Sequence, residues 1–88
     1  MRLDKYLKVS RLIKRRTLAK EVADKGRIQV NGQTAKAGTV IKEGDELSLQ
    51  LGPRKMTVRV TGVKEHASKE EANSLYEILK EERVKEDV

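Results

Sequence analysis

The sequence predicts an α+β domain, and three observations carry that prediction. Apolar residues recur at helical spacing over residues 3–23, alternate with a period of two between residues 28 and 60, and return to helical spacing after residue 68. Turn-forming residues stand where one pattern gives way to the next, so each run reads as one element. The 88 residues include no Phe, no Trp and only Tyr6 and Tyr76 as aromatics, which suits one domain with an aliphatic core. The expected order is two short N-terminal helices, a small antiparallel sheet and a C-terminal helix.

Leu3, Tyr6 and Leu7 sit at i, i+3 and i+4 and define a short amphipathic helix, with Arg2, Lys5 and Lys8 on its other side at about 100° per residue. A bend from Ser10 to Lys14 leads into a second helix with Leu18, Ala19, Val22 and Ala23 as its buried stripe. Gly26 ends that helix as a left-handed cap, and Lys25 suits the negative end of the helix dipole. The alternation in Arg27–Asn31 predicts a strand, and Asn31-Gly32 a tight hairpin turn. Thr39–Ile41 reads as a short strand, Lys42–Asp45 as a turn, and Leu47, Leu49 and Leu51 as the inward face of the next strand. After the Gly52–Lys55 turn, Met56, Val58 and Val60 line what reads as the final strand. Ser68-Lys69-Glu70-Glu71 is a capping box opening a helix with the stripe Ala72, Leu75, Tyr76 and Leu79, and Lys85–Val88 are expected to fray.

Charge is distributed unevenly. Residues 1–27 hold ten Lys and Arg against three acids, a net of +7, whereas residues 64–88 hold five against eight, a net of −3. A field with a direction draws a polyanion to one surface, and the cations are interleaved with helical apolar positions, so the basic segment is a folded face. The near absence of aromatics argues against base stacking and for recognition of structured RNA through backbone and shape. Two other classes fit the sequence less well. Against a helix-turn-helix DNA regulator, the first helix is short, no dimer seam is evident and the reading helix exposes few base-reading side chains, and a protein adaptor rests only on the acidic tail.

Catalytic chemistry finds no footing. With no Cys, disulfides and thiolate metal sites are excluded. His66 is the sole histidine and lies in a polar stretch, and Ser10, Ser48, Ser68 and Ser74 have no histidine in a nucleophile motif. The glycines mark turns and form no phosphate loop, while Asp45 and Glu46 read as turn chemistry. The expectation is no enzyme, no cofactor and no metal. No apolar run is long enough to span a bilayer and none resembles a signal peptide, so a cytoplasmic protein without membrane contact is expected.

Several runs together resemble the S4-type RNA-binding domain family: Arg2-Leu3-Asp4-Lys5-Tyr6-Leu7, Arg16-Thr17-Leu18-Ala19, Gly26–Gln33 with Lys36, and Gly44-Asp45. The match covers roughly residues 1–60, leaving residues 1–63 as the S4-type domain and 64–88 as a linker and helix packed on it. The opening Arg-Leu-Asp-Lys and the Asn31-Gly32-Gln33 run with Lys36 are most similar to the RqcP-like branch of bacterial ribosome-associated quality control, whose near relative is the S4-type ribosome-associated heat-shock protein. The resemblance implies a non-catalytic monomer that binds the large ribosomal subunit obstructed by peptidyl-tRNA. It would contact ribosomal RNA and the P-site tRNA and support alanine tailing by RqcH. The alternative is a heat-shock-type factor that recycles such subunits without tailing.

The same resemblance assigns RNA contact to Arg2, Lys5, Lys8, Arg11, Arg15, Arg16 and Lys20, with Lys36 as an outlier, and Arg16 as the strongest member. Arginine suits phosphate because its planar fork bonds two oxygens at once. For Lys5 and Lys8 a solvated helix face is the competing reading, with Asp4 and Lys8 paired at i, i+4. Arg15 departs from the Ser or Thr common in the family, which removes the usual capping oxygen and leaves the second helix start open. The acids of the tail, from Glu70 and Glu71 through Glu77, Glu81, Glu82, Glu86 and Asp87, read as a solvated face or as a surface that repels RNA and is offered to a protein such as RqcH.

A contact with about six phosphates predicts a slope on the order of −4 to −5 for log affinity against log salt. Titration of the protein with large subunits across a salt series measures it, and a slope near zero would contradict the basic-face reading.

Overall fold

The structure is a computed structural model that describes residues 1–83. Helix α1 (Leu3–Val9) forms where the i, i+3, i+4 pattern places it and buries Leu3, Tyr6 and Leu7. Helix α2 (Arg16–Asp24) buries Ala19 and Ala23 and half-buries Val22. Leu18, expected in that stripe, is 46% exposed, because the small alanines alone bring the helix close enough to fill the contact. Gly26 takes φ +74 beyond the end of α2, as a left-handed cap requires.

The sheet has five strands in the order β2-β1-β3-β4-β5, all pairs antiparallel. They are β1 (Ile28–Val30), β2 (Gln33–Thr34), β3 (Glu46–Leu51), β4 (Arg54–Val60) and β5 (Tyr76–Arg83). The β1–β2 turn has Asn31 at φ +51 and Gly32 at φ +83, the two positive values a tight primed turn demands. In β3 and β4 the period of two is visible as burial. Leu47, Leu49, Met56, Val58 and Val60 face a core shared with α1 and α2, while Gln50, Lys55 and Arg59 face solvent.

Two expected elements come out differently. Thr39–Ile41 is not a strand; Val40 makes only an isolated bridge to Arg2. Its neighbours serve α1 instead, for the amides of Leu3 and Asp4 donate to the carbonyls of Thr39 (2.8 Å) and Ala37 (3.1 Å). Arg2 supplies no side-chain cap, so this loop satisfies donors that the first turn of α1 would otherwise leave unpaired.

The C-terminal helix α3 exists but spans only Lys69–Ala72, and Tyr76–Arg83 is strand β5, so β4 is not the last strand. The capping box forms, with Ser68 Oγ accepting from the Glu71 amide at 3.2 Å. Helical pairing does not resume beyond this turn, where the Leu75 carbonyl accepts instead from Tyr6 Oη–H (2.6 Å) and from the amides of Thr61 (2.9 Å) and Gly62 (3.3 Å). Strand pairing also covers the edge of β4, and a bulge at Leu79 lets Ile78 face Val58 and Lys80 face Thr57. Glu77, Glu81 and Glu82 thus lie on an exposed edge strand, a charge pattern that discourages further edge pairing. Glu86, Asp87 and the fraying expected for Lys85–Val88 lie outside the described residues.

The buried Tyr6 hydroxyl ties α1 to the segment entering β5, and burial raises its pKa above the ordinary tyrosine value, with the nearby Tyr76 adding to this. Tyr6→Phe keeps the ring and removes the bond, so chemical denaturation is expected to show a loss of about 1 kcal/mol. Unchanged stability would contradict the tie.

Candidate nucleic-acid interface

Asp4 organises the basic face. Its position in the first turn of α1 favours a negative charge, yet its side chain is only 4% exposed, so the carboxylate needs partners. It has three. Oδ1 accepts from the Lys5 amide at 2.8 Å and from Arg2 Nε at 3.2 Å, and Oδ2 accepts from Arg16 Nε at 3.2 Å, with Arg2 Nη2 at 3.4 Å. Burial by itself pushes the Asp4 carboxyl up. The Arg16 hydrogen bond, the Lys5 amide and the charges of Arg16 and Arg2 outweigh it and hold the carboxyl below the usual value.

Arg2 and Arg16 each anchor one edge on this carboxylate and remain about half exposed, at 54% and 45% of their side chains. They come from α1's N-cap and from the first residue of α2, so two segments present one doubly cationic patch. Arg2 also lies against the 36–41 loop, where a Cβ on Gly38 would stand 3.7 Å from Nη2. That loop carries Lys36, whose amide donates to Thr39 Oγ1 at 2.9 Å while its side chain is exposed. Arg15 is the N-cap of α2 without a side-chain cap bond, and neither it nor Thr17 supplies the missing oxygen. Arg15 and Lys20 are both exposed.

The remaining members of the predicted set lie elsewhere. Asp4 and Lys8 do not pair; Asp4 is taken by the two arginines. Lys5 forms an ion pair with Glu65, across sixty residues, and its hydrogen bond is the first cause of a lowered Glu65 pKa. Lys8 and Arg11 stand at the far end of α1, where they line an open cavity with Lys14. Lys14 is absent from the sequence-derived set. The α1–α2 turn runs through Arg11 at φ +61, and a helical wheel does not extend through such a residue. No group of His, Cys, Asp or Glu among the described residues is arranged to hold a metal ion, and no helix there is long and apolar enough to cross a membrane.

Comparison with known proteins gives four findings. Residues 1–47 match the model of the S4 domain family. The chain is 67% identical over 84 residues to the RQC P-site tRNA stabilizing factor of Halalkalibacterium halodurans, covering 96% of each chain. It is 36% identical over 78 residues to heat shock protein 15 of Escherichia coli, covering 88% of this chain and 59% of that one. Among solved structures, the trimeric heat shock protein 15 of Vibrio cholerae superposes with a TM-score of 0.83 at 30% identity, covering 89% of this chain and 80% of that chain.

The lowered Asp4 pKa has a signed consequence. Its stabilising contribution is fully present above the unfolded value near 3.9 and is lost as pH falls through the lower folded value. Asp4→Asn is therefore expected to cost about 1–3 kcal/mol at neutral pH, with the gap to the native chain closing in acid. Thermal unfolding of both chains from pH 7 to pH 2 tests this. Parallel pH profiles would contradict it, since the exposed carboxylates are common to both.

Proposed function

This chain belongs to the S4 domain family and, within it, to the RQC P-site tRNA stabilizing factors, and from that membership we propose that it holds tRNA in the P site of an obstructed large ribosomal subunit. It binds through ribosomal RNA and tRNA contacts and performs no chemistry of its own. In this reading it acts as a monomer in the cytoplasm, associated with the ribosome, while RqcH adds the alanine tail to the stalled chain. The observation that carries the proposal is the Asp4-anchored pair of arginines beside the Lys36 loop. Two guanidinium forks fixed on one side and open on the other suit phosphate oxygens, which accept bidentate bonds.

The contact set proposed is Arg2, Arg16, Arg15, Lys20 and Lys36 around the anchored patch, with Lys8 and Arg11 at the far end of α1. Lys5 contributes once it exchanges Glu65 for phosphate. With no exposed aromatic cluster, recognition proceeds by backbone and shape.

The likeness to heat shock protein 15 supports a second reading, recycling of obstructed subunits without tailing. The far higher identity to the P-site factors favours the first. The two separate on the product: removal of the protein abolishes alanine tails on stalled chains in the first reading and leaves them in the second.

Affinity purification of a tagged chain tests the site. Large subunits carrying peptidyl-tRNA are expected to co-purify. Arg2→Ala and Arg16→Ala are each expected to weaken binding about tenfold or more, the scale of one charge-assisted hydrogen bond. A folded double variant that still brings down these subunits would overturn the assignment.

A further inference from the structure

At the end of α1 opposite the Asp4 cluster, an open cavity of about 510 Å³ is lined by Lys8, Val9, Arg11, Lys14 and Ala67. Its cations differ in kind from the anchored arginines. Arg2 and Arg16 share a carboxylate, whereas none of Lys8, Arg11 and Lys14 has a carboxylate within 4 Å among the described residues. Glu65, two residues before Ala67 on the same connecting segment, is engaged by Lys5. Three positive charges therefore line one concavity without an internal counter-ion.

The backbone at this place is costly. Ser10 caps α1 and Arg11 follows at φ +61, with its amide donating to the Lys8 carbonyl at 3.0 Å and Ile13 donating to Leu7 at 3.1 Å. This is the position where helices ordinarily carry glycine, and an arginine there costs about 1–2 kcal/mol. The Arg11 side chain makes no hydrogen bond or ion pair within the described residues that offsets the cost. Strain at a cationic residue lining a cavity points outward, to a ligand.

From these observations we infer that the Lys8–Arg11–Lys14 cavity is a second phosphate-binding subsite, which takes RNA backbone phosphates other than those held by Arg2 and Arg16. The seven residues of α1 separate the two clusters by about 10 Å, so a single phosphate cannot serve both. Val9 and Ala67 give the cavity an apolar wall that accepts a ribose edge, and no aromatic lines it, so the subsite is indifferent to base identity. The inference rests on the reading of the chain as an RNA-binding factor and adds Lys14, together with a division of the contacts into two ends. The phosphates come from ribosomal RNA or from the P-site tRNA, and the experiment separates these sources.

The test is the salt dependence of binding to purified large subunits, with and without peptidyl-tRNA, for Lys14→Ala, Arg11→Gly and their combination. Arg11→Gly relieves the backbone and is expected to keep or raise thermal stability, so weaker binding cannot be assigned to unfolding. Each substitution is expected to reduce the magnitude of the salt slope by about 0.7–0.9, and the pair by about twice that. Lys80→Ala, on strand β5 and paired with Glu82, is expected to leave the slope unchanged. A reduction confined to tRNA-loaded subunits identifies the tRNA backbone as the ligand, and a reduction in both identifies ribosomal RNA. If the combined variant keeps the native slope while Arg16→Ala lowers it, the second subsite is wrong and the RNA-binding reading stands. If Arg16→Ala also has no effect, both fall.

Discussion

The basic face depends on one buried carboxylate. Asp4 draws the N-cap residue Arg2, the first residue of α2 and the Lys5 amide onto two oxygens, and the adjoining amides of Leu3 and Asp4 reach the 37–39 loop. Three stretches distant in sequence thereby meet at one point. A buried charge is tolerated only when its lone pairs are filled, so this geometry is over-determined by the cost of breaking it. The cost of ordering two long arginine side chains falls on folding, and under the proposed function less remains to be met on binding phosphate.

The rest of the fold supports that point from beneath. An aliphatic core without Phe or Trp has few large side chains to lock elements together, and polar ties take over part of the task. The Tyr6 hydroxyl fixes α1 to the Leu75 carbonyl, and the same carbonyl receives two amides from the end of β4. Asp45 does comparable service in the loop before β3, accepting from Asn31 Nδ2 (3.1 Å) and the Lys42 amide (2.9 Å). Every buried side-chain nitrogen and oxygen among the described residues is satisfied, which is how a small charged chain holds one arrangement. The acids along β5 and the α3 turn pair with Arg54, Arg59, Lys64 and Lys80.

Where the physics is local, the residues announce it. The stripes of α1 and α2, the Asn31-Gly32 turn and the alternating faces of β3 and β4 follow from spacing alone, and so did the gathering of charge at the N-terminal end. Strand β5 did not, because Leu75, Tyr76, Ile78 and Leu79 satisfy a helical wheel as well as a bulged strand. What decides between them is the capture of the Leu75 carbonyl by residues far away in sequence. The same limit applies to the site. The family resemblance points to Arg2 and Arg16, which meet on one carboxylate, but Lys5 is diverted by Glu65 and Lys14 joins Lys8 through a left-handed residue. Neither event has a signature in periodicity. Leu18 shows the converse, an apolar residue at a helical spacing left outside because two alanines suffice.

Whether organisation or mere charge governs the basic face is decided by one comparison. Asp4→Asn removes a negative charge from the patch, leaving it more positive by one, while loosening the arginines, so the two accounts predict opposite signs for its affinity. Measured against the native chain on large subunits carrying peptidyl-tRNA, at a temperature where both are folded, the variant is predicted to bind more weakly. Binding that is equal or tighter would contradict the claim that the anchored geometry makes the site.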